Sequence, residues 1–330
     1  MIITRTPFRL SFFGGGTDYP AWFKEHGGLV VGTTFQRYCY ISCRPLPPFF
    51  EYQTRVVYSR TELVSKNQDI QHPAIRGCLK YLGVENGLEI HHDGDLPARS
   101  GLGSSSSFTV GFLLGLHALR HEMPTRKDLA DQAILVEQEV LQESVGIQDQ
   151  IFAAHGGMRI IRIERDGDYI VEPLILPPDY STALEQHVLL GFTGITRFAT
   201  DLAKNQIDQI QQGKSPLDEI QGIAEEAVKL FGSHADLPKI GELLDKNWKL
   251  KRSIAPGVSN DSIDDLYATA KKAGAYGGKI MGAGGGGFIM FFAPPYRHEE
   301  IKKALSKIRV WVPFKCDHTG AQVIFHNDEQ

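Results

Sequence analysis

Gly101-Leu102-Gly103-Ser104-Ser105-Ser106-Ser107 runs directly into an apolar stretch, residues 108–119. A glycine- and serine-rich loop that opens a helix can bind phosphate. Glycine lets the backbone approach an anion, and the first N–H groups of a helix have no partner within it. Serine hydroxyls can cap the helix or bind a metal. The same stretch also reads as a serine-rich cap with no ligand. The helix is apolar on almost every side, so burial is expected. Gly111 and Gly115, one turn apart, leave room for another element to pack on it. A buried helix whose N-terminus stays open to a glycine loop favours the anion. Its dipole contributes only ~0.3–1 kcal/mol, so several N–H bonds and a metal must supply the rest. The string G-x-x-x-x-G-K-[ST] is absent, and the loop lacks the third glycine of a dinucleotide fingerprint.

The remaining composition restricts what such a loop can serve. At 330 residues, 42% hydrophobic and 22% charged, the chain is globular and long enough for about two domains. A net charge of −4 gives no bulk attraction to nucleic acid or anionic membrane, so any anion site is local. Cys39, Cys43, Cys78 and Cys316 are too few for a disulfide framework and read as buried thiols. The opening MIITRTPFRLSFF carries no secretory pattern, and the run 108–119 is too short to span a bilayer, so a cytoplasmic protein is expected.

Strand patterns fall at residues 2–4, 9–13, 29–43, 55–58 and 88–92, and helical ones at 73–82, 108–120 and 126–143. Asp166-Gly167-Asp168 marks a hairpin between strands at 158–163 and 169–176. LILPP at 174–178 reads as a seam. Beyond it come a strand at 187–192, four helices within 197–273 and strands at 278–281 and 288–292. A helix at 298–308 and strands at 310–314 and 320–325 close the chain. The expected fold is α+β with two domains, 1–178 and 179–330, and a cleft between them.

Two carboxylates could complete a phosphoryl-transfer site. Glu137 stands among apolar residues in a helix, and Asp149 stands in Gly146-Ile147-Gln148-Asp149-Gln150 at the start of a new helical pattern. Either reads as an ordinary helix position. Mg²⁺ bridging nucleotide phosphates needs one carboxylate and a hydroxyl, and a separate aspartate can orient an acceptor hydroxyl. The run Pro7-Phe8-Arg9-Leu10-Ser11-Phe12-Phe13-Gly14-Gly15-Gly16-Thr17-Asp18 feeds a strand into three glycines. It is either a tight turn with an Asx cap or a backbone that admits a polar ligand. Arg9 in an apolar strand needs a partner, and Asp149 would serve. A third glycine cluster, residues 277–288, reads as a turn inside a sheet that can approach a substrate or another loop.

Taken together, the three clusters resemble the small-metabolite kinase superfamily of galactokinase, homoserine kinase, mevalonate kinase and phosphomevalonate kinase. The resemblance spans almost the whole chain. It implies an N-terminal domain like ribosomal protein S5, a ferredoxin-like C-terminal domain, and ATP with Mg²⁺ in the cleft. Carried onto this sequence, it implies a nucleotide loop of Pro97, Ser100, Gly101, Leu102, Gly103, Ser104, Ser105 and Ser106. Ser105 and Glu137 resemble the metal ligands, with Ser104 left to cap the helix. Asp149 resembles the catalytic aspartate, and Arg9 the basic residue that polarises transfer. Gly15, Gly16, Thr17, Asp18, Gly284 and Gly285 fall to the substrate.

Galactokinases have Gly-Glu-His-Thr-Asp where residues 14–18 read Gly-Gly-Gly-Thr-Asp, and the usual Pro-x-Gly is Pro97-Ala98-Arg99 here. Both departures point away from galactose. Thr4-Arg5-Thr6-Pro7-Phe8-Arg9, the four serines and Thr193-Gly194-Ile195-Thr196-Arg197 resemble the D-glycero-D-manno-heptose 7-phosphate kinases, and fucokinase-type enzymes share much of the pattern. The heptose resemblance implies phosphorylation at O1 to the 1,7-bisphosphate, on the route to GDP-heptose, and a basic clamp for the phosphate the substrate already carries. Arg197 is the leading candidate, reading equally as a surface arginine at a helix start, with Lys24 and Lys279 behind it. A kinase of an unphosphorylated sugar such as fucose and a silent sugar/ATP sensor are the alternatives. The presence of both Asp149 and Glu137 argues against the sensor. The oligomeric state is left open between monomer and homodimer.

Overall fold

The computed structural model describes residues 1–98, 100–195, 199–213 and 216–327, and the side chains of all of these except 199–201. The first half contains β1 (Ile2–Phe13), α1 (Pro20–His26), β2 (Gly28–Pro45), β3 (Thr54–Val57), β4 (Thr61–Val64), α2 (Pro73–Tyr81), β5 (Leu88–Gly94), α3 (Ser104–Leu119), α4 (Arg126–Leu135), α5 (Gln148–His155), β6 (Arg159–Ile163) and β7 (Tyr169–Pro173). The second half contains α6 (Pro178–Gln186), β8 (Val188–Phe192), α7 (Ala199–Gln211), α8 (Leu217–Gly232), α9 (Leu237–Ser253), α10 (Asp261–Lys272), β9 (Gly277–Ile280), β10 (Phe288–Phe292), α11 (His298–Ala304), β11 (Val310–Val312), β12 (Cys316–Asp317) and β13 (Gln322–His326).

The long β-branched and aromatic stretch is one continuous strand. β2 pairs with β1 along residues 31–43, and its length lets it also take β6 at residues 28–32, β12 at 34–35 and β5 at 39–45. The resulting nine-stranded sheet has the order β13-β1-β2-β5-β3-β4, with β6, β7 and β12 attached through β2. The second sheet is antiparallel in the order β11-β8-β10-β9. Numbered within its own domain this is 4-1-3-2, the ferredoxin-like arrangement. The fold is α+β, as the sequence implies.

α3 is buried because its apolar sides meet the large sheet. A Cβ on Gly111 would lie 2.5 Å from Thr6 Oγ1, so the missing side chain is what lets α3 lie on β1. Thr4 Oγ1 reaches the Gly111 carbonyl at 3.0 Å in that gap. The hairpin at Asp166-Gly167-Asp168 forms between β6 and β7, and all four cysteines are buried and unbridged. Among the described residues no helix is long and apolar enough to cross a membrane.

Three features depart from the sequence reading. The helix expected over 126–143 ends early: α4 gives way to a π turn, Val136–Val140, and Gln142 then takes a left-handed φ of 55° that no helix continues. The short elements α1, β4 and α6 carry too little periodicity to show. The seam at 178 is not a clean cut, because β12 and β13 return to pair with β2 and β1. The ends of the chain also meet, the Met1 ammonium donating to the Asn327 carbonyl at 2.8 Å.

Candidate active site

Arg9 sits in the middle of β1, 5% exposed, where an unpaired charge would be costly. Its Nε donates to Asp149 Oδ1 at 2.6 Å and its Nη2 to Asp149 Oδ2 at 3.0 Å, a two-point pairing that fixes the carboxylate's plane. Nη1 donates to the Gly101 carbonyl at 2.7 Å, so one guanidinium joins the aspartate to the glycine loop. The Arg9 backbone N–H donates to the Leu102 carbonyl, tying the loop to β1 a second time. Asp149 lies in the first turn of α5 and remains partly open, its side chain 24% exposed.

Gly103 caps α3 with φ 74° and ψ 26°. A Cβ there would stand 3.2 Å from Asp149 Oδ2, so glycine lets the carboxylate border the loop's mouth. The cap is Gly103 and not Ser104, which is the first helical residue, and glycine offers no side chain to cap the helix. The N-terminal N–H groups thus open beside Asp149.

Helical rotation decides which serine meets the buried glutamate. Ser106 Oγ donates to Glu137 Oε2 at 2.9 Å, and Gln150 Nε2 donates to the same oxygen. Ser105, expected to share a metal with Glu137, points outward and is exposed. Successive helical residues diverge by about 100°, so neighbouring serines cannot share a partner. Glu137 is fully buried, and burial pushes its carboxyl up to about 7. Its Oε1 makes no hydrogen bond among the described residues, although the nearby Thr109 hydroxyl partly offsets the effect of burial. A buried carboxylate oxygen without a hydrogen bond, beside a serine hydroxyl and an open helix N-terminus, suits Mg²⁺. No group of three or more His, Cys, Asp or Glu among the described residues could hold a metal alone, so the ion would draw its other ligands from phosphate and water.

The first glycine turn is built from within. Thr17 is fully buried, and its hydroxyl lies between the Gly14 and Leu29 carbonyls and accepts from the Leu29 N–H. It therefore braces the turn against β2 and is not available to a substrate, a correction to the expected set. Asp18 Oδ1 accepts from the Gly16 N–H at 2.9 Å and Oδ2 from the Gln148 N–H at 3.4 Å, which pins α5 to the turn. Burial and the nearby Asp149 raise its pKa, against the lowering effect of the Gly16 bond. Gly15 is flanked by Ser11 and Gln148, whose Oγ and Oε1 are buried without partners. These two polar groups, absent from the sequence reading, border the open side of Gly15. Ser11 was hidden in an apolar strand, whereas Gln148 could have been found from its place before Asp149.

The C-terminal glycine turn packs on other loops. A Cβ on Gly282 would stand 2.7 Å from the Gly101 Cα, and one on Gly284 would stand 2.6 Å from the Val258 carbonyl. Gly285 N–H donates to Val258, and Phe288 N–H donates to the Ser100 carbonyl at 3.2 Å. Of the remaining nucleotide-loop residues, Leu102 is buried, Ser100 is buried with an unpartnered hydroxyl, and Pro97 is exposed. Gly101→Ala would force a side chain into φ 82° and within 2.5 Å of the Met281 carbonyl. Thermal unfolding should show a loss of about 1–3 kcal/mol, with a raised KM for ATP; an unmoved Tm would contradict the packing.

Two of the three expected clamp residues are corrected. Lys279 is 1% exposed and donates to the Ser11 and Phe12 carbonyls at 2.9 and 3.1 Å, tying β9 to β1. Lys24 is exposed in a groove it shares with Asp131, Glu139, Glu143 and Asp166, which repel phosphate. Arg197 lies outside the described residues.

Family models for the N-terminal and C-terminal domains of GHMP kinases match residues 70–157 and 224–309, together more than half of the chain. The chain belongs to the GHMP kinases. It is a phosphotransferase that uses ATP and a hydroxyl acceptor. This GHMP kinase is 29% identical to the D-glycero-alpha-D-manno-heptose 7-phosphate kinase of Campylobacter jejuni, over 94% of this chain and 95% of that protein. It is 25% identical to the bifunctional fucokinase/GDP-fucose pyrophosphorylase of Arabidopsis thaliana over 87% of this chain, but only 29% of that longer protein is matched. In structure it superposes on a D-glycero-D-manno-heptose 1-phosphate kinase from Bacteroides thetaiotaomicron with a TM-score of 0.79, covering 99% and 100% of the two chains at 23% identity. At that identity the likeness establishes the fold.

Proposed function

We propose that this GHMP kinase phosphorylates a sugar at its anomeric hydroxyl, with D-glycero-D-manno-heptose 7-phosphate as acceptor and the 1,7-bisphosphate as product. In this reading it acts in the cytoplasm on the route to GDP-heptose. The observation that carries the chemistry is the two-point Arg9–Asp149 pair at the mouth of the α3 loop. The Campylobacter relative, matched along nearly its whole length, supports the acceptor.

The division of labour follows from the site. The α3 N–H groups and the loop from Ser100 to Ser106 receive the ATP phosphates. Asp149 accepts the hydroxyl proton or orients that hydroxyl toward the γ-phosphorus. Arg9 holds the carboxylate in place and offsets its charge. Ser106 and Glu137 would hold Mg²⁺, which when bound neutralises phosphate charge. The sugar contacts Gly15 and Gly16, with Ser11, Gln148 and Asp18 beneath them. The domains divide near residue 178, with β12 and β13 belonging to the N-terminal unit.

One observation favours a second reading, an unphosphorylated acceptor: neither Lys24 nor Lys279 is placed to clamp a distal phosphate. An ATP-consumption screen over sugars with and without a terminal phosphate separates the two. Heptose 7-phosphate should give the highest kcat/KM. Equal use of fucose and other neutral sugars would replace the first reading with the second.

A further inference from the structure

Lys251, near the end of α9, is 6% exposed. It belongs to neither the glycine clusters nor the acidic pair. Its ammonium donates to the Gly282 carbonyl at 2.6 Å. Gly282 rests against Gly101, and the Gly101 carbonyl receives Arg9 Nη1. Lys251 and Arg9 therefore reach the same seam, one from each domain. Lys251 makes no ion pair within 4.0 Å among the described residues. It uses one of three N–H donors on a neutral carbonyl. Burial and then Arg9 push its pKa down to about 8, while Asp18 and Asp149 pull it back, so it lies in the field of all three site charges.

The neighbouring buried lysine shows what a purely structural role looks like. Lys279 donates to two carbonyls of β1. A tie to one carbonyl does not need a charge, and burying an ammonium without a counter-ion is costly. Two donors remain on Lys251, which ends at the Gly282–Gly101 contact beside the loop that Arg9 also reaches.

We propose that Lys251 is a second cation of the transfer site, donating to the oxygens of the phosphoryl group as it moves from ADP to the acceptor. In that step the acceptor oxygen forms a bond to the γ-phosphorus and the bond from phosphorus to the bridging oxygen breaks. The electron pair of that bond leaves on ADP, and the hydroxyl proton goes to Asp149. Lys251 neither gains nor loses a proton. It stabilises charge on the equatorial oxygens together with Arg9. This rests on Asp149 marking the transfer point, as in the reading above, but not on which sugar arrives.

Lys251→Gln keeps an N–H for the Gly282 carbonyl and removes the charge. With the best acceptor from the screen, kcat should fall about 100-fold or more. KM for ATP should stay within about threefold and Tm should be nearly unchanged, because the contact belongs to the transition state. Lys251→Arg should recover part of the rate. The slow ATP hydrolysis measured without any sugar should fall in parallel, which keeps the result independent of the acceptor. A kcat within about threefold of the parent in Lys251→Gln, for both reactions, would overturn the assignment. So would a loss confined to Tm. If Lys251→Gln does not fold, Lys251→Met, which keeps the length and removes the charge, decides: kcat and hydrolysis rates within about threefold of the parent would overturn the assignment.

Discussion

Asp149→Asn is expected to lower kcat by about 10²–10⁴-fold while ATP still binds. The carboxylate is the partly open acid at the mouth of the α3 loop, and an amide cannot accept the hydroxyl proton. In the proposed function the nucleotide is received by backbone N–H groups that the substitution leaves alone, so binding should survive. The variant also disturbs Arg9, since an amide NH₂ would face one guanidinium nitrogen. Arg9 keeps its bond to the Gly101 carbonyl, and its loop contact through Leu102 is made by backbone. A stability loss of about 1–3 kcal/mol is expected from the weakened pair. Calorimetric titration with ATP and single-turnover kinetics separate the two effects. Unchanged turnover would remove Asp149 from the chemistry.

Glu137→Gln should have opposite effects on activity and stability. Activity should fall by at least 10²-fold with a sharply raised Mg²⁺ requirement, because the variant replaces an anionic oxygen with an amide. Stability of the metal-free protein should rise at pH 8. The folded protein holds the Glu137 proton more tightly than the unfolded chain, with a pKa of about 7 against 4.5. The charged form therefore opposes folding increasingly as pH climbs from 4.5 through 7, by an amount on the order of 3 kcal/mol above that range. Glutamine removes this but leaves an amide group where Oε1 makes no hydrogen bond, so a net gain of about 1–2 kcal/mol is expected. Below pH 4.5 the gain should vanish. Thermal unfolding at pH 4 and pH 8 without metal checks the sign. A variant destabilised at both would mean that Glu137 is structurally paired.

What could be read in the sequence followed what each residue depends on. Loop glycines and the helix behind them are local signals, so the α3 loop and the α+β class were visible. The Arg9–Asp149 pair was inferable because a charge inside a strand demands a partner. The choice of Ser106 over Ser105 was not, because it turns on the rotation of α3 against the π turn that holds Glu137. Lys279 looked like any basic residue beside a glycine cluster. Its ammonium faces β1 only because β9 and β1 pack together across about 270 residues of chain. Lys251 stands in a helix rich in lysine, where nothing distinguishes the buried one from its exposed neighbours until α9 is docked.

The return of β13 to the edge of β1 also shapes how the enzyme comes into being. Arg9 lies on a strand whose outer neighbour is made almost the full chain length later, as the bond from Arg5 to Gln322 across 317 positions shows. A sheet completed by so distant a partner closes late and slowly. During synthesis the strand that will carry Arg9 has an open edge, exposed to wrong partners. A nascent chain interrupted before β12 and β13 would hold every residue of the proposed transfer site and still lack the frame that aligns them. The alignment of Arg9 is thus tied to the synthesis of a segment that lies outside the proposed transfer site.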